Sequence, residues 1–262
     1  MITQDFVEKK AGNSQIDRYT IVREYLQLLF LRYFYELKTP GVRSFFKGGT
    51  ALRFLFNSFR FSEDLDFTCV GKMAFIKKYL EEVLPKVEKE SGFKILMKDE
   101  KFFEEIGVGY RLVCQPNDLI VQPLSIRLDF SFREKPLEPE VSAIAVGDYP
   151  ISPFPLVTHL SEKEILAEKI RAILVRKTPR DLFDLWFILK RGVEINWGMV
   201  EKKMRYYPNV KFSQKILKEK VKEFKTEELK KDLNQFLPVS YRNYYLKIKE
   251  ETLKLLEKIV EN

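Results

Sequence analysis

Residues 64–70 of the sequence, DLDFTCV, combine strand-forming side chains with two carboxylates at alternate positions. Residues two apart in a β-strand point to the same face, so Asp64 and Asp66 share one face while Leu65 and Phe67 share the other. The apolar face predicts a strand packed against a core, and burying unpaired charge on the opposite face would cost several kcal/mol. The fold must therefore provide something that compensates these two carboxylates.

A second segment, LSIRLDFSFR at 124–133, shows the same alternation, and Asp129 shares its strand face with Arg127. If the two strands are neighbours in a sheet, the carboxylates of Asp64, Asp66 and Asp129 converge. Three convergent carboxylates commonly hold a divalent cation such as Mg²⁺, which takes oxygen ligands and is often shared with substrate phosphates.

A glycine pair, Gly48 and Gly49, precedes the Asp-x-Asp strand and follows a short apolar run. The residues after it have helical spacing, with Thr50 as the predicted N-cap. A glycine turn at a helix N-terminus exposes backbone N–H groups and the positive end of the dipole, and both favour a bound phosphate. A glycine pair alone usually marks only a turn, but its combination with three aspartates favours a metal- and phosphate-binding site.

The order of the elements predicts an α+β fold. Strand patterns are confined to residues 44–133, and the proline-rich segment 150–155 is the best domain boundary. We predict a domain over 1–155 with a mixed sheet, flanking helices and an N-terminal helix, and a basic helical bundle over 156–262. The helices outside the glycine motif are predicted at 16–37, 72–91, after Ser161, after Thr178, and at 197–206, 213–222, 226–235 and 241–261.

The composition excludes several kinds of site. His159 is the only histidine, which leaves almost no material for zinc clusters, Ser-His-Asp triads or a histidine general base. Cys69 and Cys114 lie in apolar strand contexts typical of ordinary buried thiols. The first residues lack a signal-peptide pattern, and the longest apolar-rich segment, 25–35, is too short to span a bilayer. We therefore expect a soluble, cytoplasmic protein.

The net charge of +8 is concentrated near the C-terminus, where residues 201–262 hold 16 basic and 10 acidic side chains. A basic helical region indicates either a polyanionic partner such as nucleic acid or a lysine-rich solvated surface. The charge alone does not choose between them.

The motif from Gly48-Gly49 to Asp64-Leu65-Asp66 resembles the signature of the polymerase β-type nucleotidyltransferase superfamily. The wider stretch GGTALRFLFNSFRFSEDLDF is similar to the AbiEii/AbiGii-type nucleotidyltransferase toxins of bacterial and archaeal toxin–antitoxin systems. That family also has a later helical lysine and an Arg-Asp-x-x-Asp element, which match Lys169 and residues 180–184. The resemblance covers roughly residues 42–190.

The resemblance implies transfer of a nucleoside monophosphate from an NTP, with Mg²⁺ or Mn²⁺ as cofactor and pyrophosphate as product. Asp64, Asp66 and Asp129 would hold the metal, or Asp129 would act as general base. The implied partners are RNA, such as the 3′ end of tRNA, and a cognate antitoxin that is encoded nearby and need not bind the toxin. The other candidates are Gly48, Gly49, Thr50, Ser62 and Lys169 for the nucleotide phosphates, Asp184 as a further active-site residue, and Arg60, Arg176 and Arg180 for RNA.

At the helical rotation of about 100° per residue, apolar residues lie on both sides of Lys169. The lysine is therefore on the inward face of its helix, which supports a functional role. A lysine on an inward helix face needs an anion, for which a triphosphate is a good candidate. Alternatively the side chain extends to solvent or pairs with Glu162. Asp181 closes a predicted capping box with Thr178, which explains it without a catalytic role, whereas Asp184 has no capping role.

Two other functions fit the same residues. The acceptor could be a small molecule or a protein side chain, as in aminoglycoside-modifying relatives, although the basic charge of this chain favours RNA. A non-catalytic RNA- or nucleotide-binding relative would keep the fold, but it would have no need of all three aspartates.

Overall fold

The computed structural model of the protein describes residues 1–37, 41–103 and 106–258. They form two compact units. The first contains Met1–Asn57 and Phe61–Leu160, and the second contains Ser58–Arg60 and the described chain from Ser161 onward. Among the described residues, no helix combines the length and the apolar character needed to cross a membrane.

Within the described residues, the first unit is built on one mixed sheet of seven strands: β1 (Val42–Lys47), β2 (Asp64–Gly71), β3 (Ile95–Phe103), β4 (Gly107–Cys114), β5 (Leu124–Ser131), β6 (Pro139–Ser142) and β7 (Val157–Leu160). Their order across the sheet is β3-β4-β5-β2-β1-β7-β6. The pairs β2–β5 and β1–β7 are parallel, and the other neighbours are antiparallel. The two strands with alternating carboxylates, β2 and β5, are therefore direct neighbours.

The helices of this unit are α1 (Gln4–Ser14), α2 (Arg18–Glu36), α3 (Gly48–Phe56) and α4 (Phe75–Ser91). Asp17 caps α2 by accepting a hydrogen bond from the Thr20 backbone N–H at 3.0 Å. Gly92 ends α4 in the left-handed conformation, with φ of 75°. The helices predicted at 16–37 and 72–91 are thus confirmed with slightly shorter ends.

One face of the sheet packs against α2 and α4 through aromatic rings. Phe67 of β2 and Phe130 of β5 are stacked with centroids 5.0 Å apart. Phe34 of α2 lies 5.0 Å from Phe67 and 5.0 Å from Tyr79 of α4. Because these residues occupy the apolar positions of the alternating strands, the aspartates are left on the opposite face.

The second unit consists of helices and their connections: α5 (Glu162–Val175), α6 (Pro179–Lys190), α7 (Trp197–Met204), α8 (Gln214–Lys222), α9 (Thr226–Leu233), a 3₁₀ helix (Val239–Leu246) and α10 (Ile248–Lys258). α6, α7 and α8 pack on α5, and α9 and α10 pack on α6. Ser161 caps α5 by accepting from the Glu164 N–H at 3.1 Å, as its sequence predicts. The α+β fold class is confirmed.

The shortest elements escape the sequence patterns. β6 and β7 have four residues each, which is too few to establish a period of two. β7 pairs with β1, so the first unit extends to Leu160, beyond the predicted boundary at residue 155. The helix predicted over 241–261 is divided, because the described residues of the 3₁₀ helix bury no side chain and offer no apolar stripe.

Candidate active site

The carboxylates of the first unit lie on the polar face of the sheet. β2 and β5 run parallel, with Asp66 opposite Asp129 and Asp64 opposite Arg127. Residues in register on neighbouring strands point to the same face, so Asp66 and Asp129 are adjacent side chains. All three aspartates are partly exposed, whereas the intervening Leu65 is buried. The condition on which the sequence argument depended, that these two strands are neighbours, is therefore met.

Asp64 does not lie beside Asp129 in the sheet register, as the predicted group of three carboxylates would suggest. Its neighbour on β5 is Arg127, and Arg111 of β4 lies opposite Arg127 in turn. In the part of the chain that the structure describes, no three His, Cys, Asp or Glu side chains are grouped so that they could hold a metal ion. The alternation of a strand determines which face a residue occupies, but only the register determines its neighbour.

The available oxygen donors nevertheless fit Mg²⁺ or Mn²⁺. Mg²⁺ usually keeps several waters and is bound through one or two carboxylates plus substrate phosphates, rather than by a complete protein cage. Asp66 and Asp129 provide such a pair, and Asp64 lies on the same strand face two residues away. These residues would therefore hold the metal together with the phosphates of a nucleotide.

The start of α3 lies directly against Asp66. Gly48 has φ of +81°, and a Cβ added there would meet Oδ2 of Asp66 and lie 3.0 Å from its Cγ. Only glycine permits both this backbone conformation and this close approach. The helix start thus brings backbone N–H groups and a positive dipole end next to the carboxylate.

Thr50 has a structural role. Lys47, not Thr50, occupies the N-cap position, so the N-cap prediction is wrong. The left-handed conformation of Gly48 lets the helix begin three residues earlier than a Thr50 cap indicates. Thr50 is 1% exposed and donates its hydroxyl to the backbone carbonyl of Asp64, which ties α3 to β2. Its side chain is therefore engaged within the fold rather than presented to a phosphate.

Sequence reasoning missed Lys47, the residue before the glycine pair. It lies on β1 opposite Asp66, and it is 9% exposed. Lys47, Asp66 and Asp129 therefore form one row across three strands, with the cation at one end. The signal was present in the sequence: in the strand SFFK, Lys47 shares a face with Phe45, two residues before it, just as Asp66 shares a face with Asp64 in its strand.

In the second unit, Lys169 of α5 meets two carboxylates of α6. Its Nζ lies 2.7 Å from Oδ2 of Asp184 and 3.0 Å from Oδ1 of Asp181. The lysine thus meets anions, as its inward position predicts. The alternative partner Glu162 instead pairs with Arg191 at 2.6 Å. These contacts bring together two of the predicted site residues, Lys169 and Asp184.

Arg60 is a second cation on Asp184. Its Nε and Nη2 lie 3.0 and 2.8 Å from Oδ1 of Asp184, and Nη2 lies 2.9 Å from Oδ2. The two side chains are 3% and 1% exposed. The prediction of Arg60 as an RNA contact is therefore wrong, because its guanidinium is buried against a carboxylate 124 residues later in the chain. No local sequence signal reveals a pair at that separation.

Asp181 does not close a capping box, because Thr178 makes no side-chain capping bond at the start of α6. The Asp181 carboxylate accepts instead from Arg176 Nε at 2.9 Å and from Lys169. Burial alone would raise the pKa of Asp181, but Lys169 and then Arg176 lower it to about 2. Two cations in a buried setting thus outweigh the capping interaction that the sequence suggests.

The charge of Lys169 is maintained by its neighbours. Burial alone would lower its pKa, but the carboxylates of Asp184 and then Asp181 raise it above the usual value. Lys169 therefore stays protonated at physiological pH. A permanent positive charge of this kind can interact with a phosphate but cannot act as a general base.

The other RNA candidates differ in exposure. The side chain of Arg176 is 65% exposed. That of Arg180 is 31% exposed, lies 3.5 Å from Asp232 and stacks over the ring of Phe236 at 4.9 Å. Arg176 is thus more accessible to a large partner. In the first unit, Ser62 is partly exposed, and its backbone carbonyl accepts from Gln27 Nε2 at 3.1 Å.

The histidine and the cysteines take no part in these clusters. Cys69 and Cys114 are buried free thiols, as predicted, and burial raises the pKa of each to about 12. His159 is buried, with Nδ1 2.8 Å from the Leu160 carbonyl and Nε2 2.9 Å from Oγ of Ser142. The candidate functional groups of the clusters described above are therefore carboxylates, lysines and arginines.

Comparisons with known structures find proteins of the same fold. MenT4, a nucleotidyltransferase toxin from Mycobacterium tuberculosis, is 19% identical and has a TM-score of 0.65, with 98% of this chain and 90% of that chain covered. The Helicobacter pylori protein JHP933 is 20% identical with a TM-score of 0.55, and 94% of this chain and 95% of that chain are covered. At these identities the two structures demonstrate a shared fold. No curated protein sequence matches.

The profile of a protein family provides the assignment. It is described as the nucleotidyl transferase AbiEii toxin of type IV toxin–antitoxin systems, and it matches residues 32–258. The match includes the glycine pair, the Asp-x-Asp strand and the helices with Lys169 and Asp184, and it extends over most of the chain. This protein therefore belongs to the AbiEii family of nucleotidyltransferase toxins.

Proposed function

We propose that this protein transfers a nucleoside monophosphate from an NTP to an RNA acceptor in a metal-dependent reaction, as the toxin of a toxin–antitoxin system. The 3′ end of tRNA is the acceptor to test first. The observation that carries this proposal is the register of β2 and β5, which sets Asp66 opposite Asp129 beside the start of α3. Paired carboxylates and a helix N-terminus are complementary to a metal-bound phosphate.

In the first unit, Asp66 and Asp129 would hold the metal, with Asp64 as a further ligand. When bound, Mg²⁺ or Mn²⁺ would neutralise phosphate charge and align the triphosphate. The backbone N–H groups of Gly48 and Gly49 would bind phosphate oxygens. Lys47, at the end of the same row, would orient the Asp66 carboxylate, since opposite charges on adjacent strands attract.

In the second unit, Lys169 would contribute its permanent charge to binding the triphosphate. Asp184 supports that lysine at 2.7 Å. Ser62, Arg176 and Arg180 remain proposals for contacts to nucleotide or RNA. Together with the basic helices beyond residue 201, the two arginines support RNA as the acceptor.

The transfer balances without a redox partner. The acceptor hydroxyl oxygen forms a bond to the α-phosphorus while the bond from that phosphorus to the α,β-bridging oxygen breaks. Pyrophosphate leaves with the electron pair, and the hydroxyl proton would pass to the Asp129 carboxylate where that residue serves as general base rather than as metal ligand. Positioning of the reactants and neutralisation of charge would contribute more to the rate acceleration than the proton transfer itself.

The partners follow from this function. The substrates would be an NTP and RNA, both present in the cytoplasm. A cognate antitoxin would be encoded nearby and would not need to bind the toxin directly. We also propose that the unit built on the sheet is the nucleotidyltransferase-like part and that the helical unit from Ser161 onward supplies the basic surface.

The test is incubation of the protein with total tRNA, Mg²⁺ and each α-labelled NTP in turn. We expect label in RNA and loss of that label in the Asp66→Asn variant. Chelation should abolish incorporation of label, and added Mg²⁺ or Mn²⁺ should restore it. Asp118→Asn is the matched control, because Asp118 is an exposed aspartate of the same unit and lies outside the site. It should transfer label at the wild-type rate.

Other outcomes would overturn parts of the proposal. Label found only in protein would assign the acceptor to a side chain and contradict the RNA assignment. Tight tRNA binding without incorporation of any nucleotide would contradict the enzymatic function and identify a binding relative. Equal incorporation by wild type and Asp66→Asn would show that the paired carboxylates are not the reaction centre.

A further inference from the structure

We propose that Arg60 and Asp184 are positioning residues that act through Lys169. Arg60 holds the Asp184 carboxylate, and Asp184 holds the ammonium group of Lys169, which contacts the nucleotide phosphates. This inference rests on the proposed function, because it takes Lys169 as the group that meets the substrate. It assigns Asp184 a supporting role instead of a direct chemical one.

The hydrogen bonds of Asp184 leave it little capacity for a substrate. A carboxylate offers about four acceptor positions. Three are taken by N–H groups of Arg60 at 2.8–3.0 Å, and Lys169 Nζ takes another at 2.7 Å. Asp184 is also 0% exposed. To accept a proton from an acceptor hydroxyl, it would have to release a buried cation, which is strongly unfavourable.

The geometry of the pair requires arginine. A planar guanidinium presents N–H groups in a fork that matches both oxygens of a carboxylate, and this arrangement restricts rotation of the carboxylate plane. Lysine carries the same charge, but its three donors lie on one rotating nitrogen and cannot span both carboxylate oxygens as a planar fork does. Replacement of Arg60 by lysine therefore retains the charge balance of the buried cluster while it removes the orientation of Asp184.

Exposure distinguishes Lys169 from its supports. Its side chain is 12% exposed, against 3% for Arg60 and 1% for Asp184. A second carboxylate, Asp181, also holds its Nζ at 3.0 Å. Lys169 is therefore the member of this trio best able to reach a ligand, and the two carboxylates determine where its charge lies.

The backbone of Arg60 is fixed by its neighbour Phe59. The Phe59 ring stacks on Tyr241 with centroids 4.3 Å apart and meets Phe183 edge to face at 5.2 Å. Phe183 immediately precedes Asp184 in α6. The aromatic contact and the ion pair thus hold the same short segment to the same helix, which explains how an arginine so distant in sequence keeps its alignment.

The experiment is a double-mutant cycle on the full chain. The variants are Arg60→Lys, Asp184→Asn and Lys169→Met, with the first two also combined with the third. Their affinity for Mg²⁺–NTP and their kcat and KM for NTP are measured. We expect each single variant to weaken nucleotide affinity and raise KM by about tenfold or more with a smaller change in kcat, the pattern for lost binding interactions. Arg191→Lys is the matched control, because it alters an exposed arginine–carboxylate pair of the same unit.

Non-additivity is the decisive result. If Arg60 and Asp184 act through Lys169, their substitutions change affinity by less than about twofold in the Lys169→Met background. Additive losses in that background would overturn the proposal. It would also be overturned if Asp184→Asn lowered kcat without changing nucleotide affinity, because this result identifies a general base.

Two further measurements keep the test decisive. If Arg60→Lys lowers the melting temperature, Phe59→Leu loosens the same segment without changing charge and should also raise KM only when Lys169 is present. If the wild type binds Mg²⁺–NTP but transfers no label, the proposed reaction fails while the binding cycle still decides the positioning roles. Absence of nucleotide binding by the wild type would overturn both.

Discussion

Gly48 and Asp66 show how the absence of one side chain permits a carboxylate to lie against the start of a helix. The helix dipole and the free N–H groups stabilise negative charge there. A Cβ at position 48 would occupy the place of the carboxylate. The glycine is therefore required by its neighbour as well as by its own backbone conformation.

The substitution Gly48→Ala tests this close approach. We expect it to lower the free energy of unfolding by about 3 kcal/mol, since strain at positive φ and a steric collision act together. Gly147→Ala is the matched control, because Gly147 has φ of +61° but nothing within 4 Å of an added Cβ. It should cost only about 1 kcal/mol. If denaturant titrations gave equal losses of unfolding free energy for the two variants, contact with Asp66 would not be what restricts position 48 to glycine.

Asp181 predicts how stability depends on pH. Its pKa is lowered from 3.8 to about 2 in the fold, so folding favours the ionised carboxylate. This stabilisation is present above the unfolded pKa of about 4 and is lost as the pH falls through about 2. The difference corresponds to roughly 2 kcal/mol.

The measurement compares wild type and Asp181→Asn by urea titration between pH 6 and pH 2. The wild type should lose about 2 kcal/mol more over this range than the variant, whatever their difference at pH 6. Asp118→Asn should retain the wild-type slope. An identical slope for Asp181→Asn and wild type would contradict the pairing of Asp181 with Lys169 and Arg176.

At the scale of elements, the sheet register and the helix faces determine which charges meet. The parallel register of β2 and β5 places one aspartate opposite another and the next opposite an arginine. In the second unit, α5 and α6 present a lysine and two aspartates to each other. A shift of one residue in either strand would move its carboxylates to the core face.

The helix α8 carries a lysine face that should contribute to RNA binding. Lys215, Lys218 and Lys222 are spaced by three and four residues, so they lie on one side of the helix, and none is buried. Their triple substitution by glutamine should weaken tRNA binding and reduce the slope of log K against log salt by about 2 to 3.

Nucleotide affinity should be unchanged in this triple variant, because α8 holds none of the candidate phosphate ligands. The matched control replaces three exposed lysines of α4, Lys77, Lys78 and Lys89, by glutamine. It removes the same charge from the first unit. An equal loss of tRNA affinity in the control would indicate a general charge effect and contradict a specific face on α8.

At the scale of the whole molecule, the division into units does not follow the chain. Ser58–Arg60 lies in sequence between α3 and β2, yet its contacts assign it to the second unit. Phe59 meets several aromatic rings of that unit, whereas Phe56, three residues earlier, lies 5.9 Å from His159 of the first. The segment is thus held by residues far along the chain.

This assignment predicts where loosening occurs. Phe59→Ala should increase amide hydrogen exchange about tenfold or more in α6 and in the 3₁₀ helix, with little change in α3. Phe56→Ala is the matched control and should affect β7 rather than α6. Exchange is followed by mass spectrometry of the full chain. Increased exchange confined to α3 in the Phe59 variant would contradict the placement of this segment.

Much of this molecule follows from local chemistry. The period of two assigns Asp66 and Asp129 to a polar face, and caps such as Ser161 mark helix starts, because these signals arise from neighbouring residues. The wrong capping predictions have a common cause. Thr50 and Asp181 have the residue types of caps, but tertiary partners engage their side chains instead.

The sequence alone thus established the α+β order of elements, the candidate carboxylates, the inward lysine and the family, since each depends on residue type and spacing. Only the tertiary structure decided that Asp66 and not Asp64 lies opposite Asp129, that Lys47 joins their row, and that Arg60 is buried against Asp184. The physical reason is that strand register and long-range ion pairs depend on how distant segments pack, and that packing minimises the energy of the whole fold rather than of any local segment.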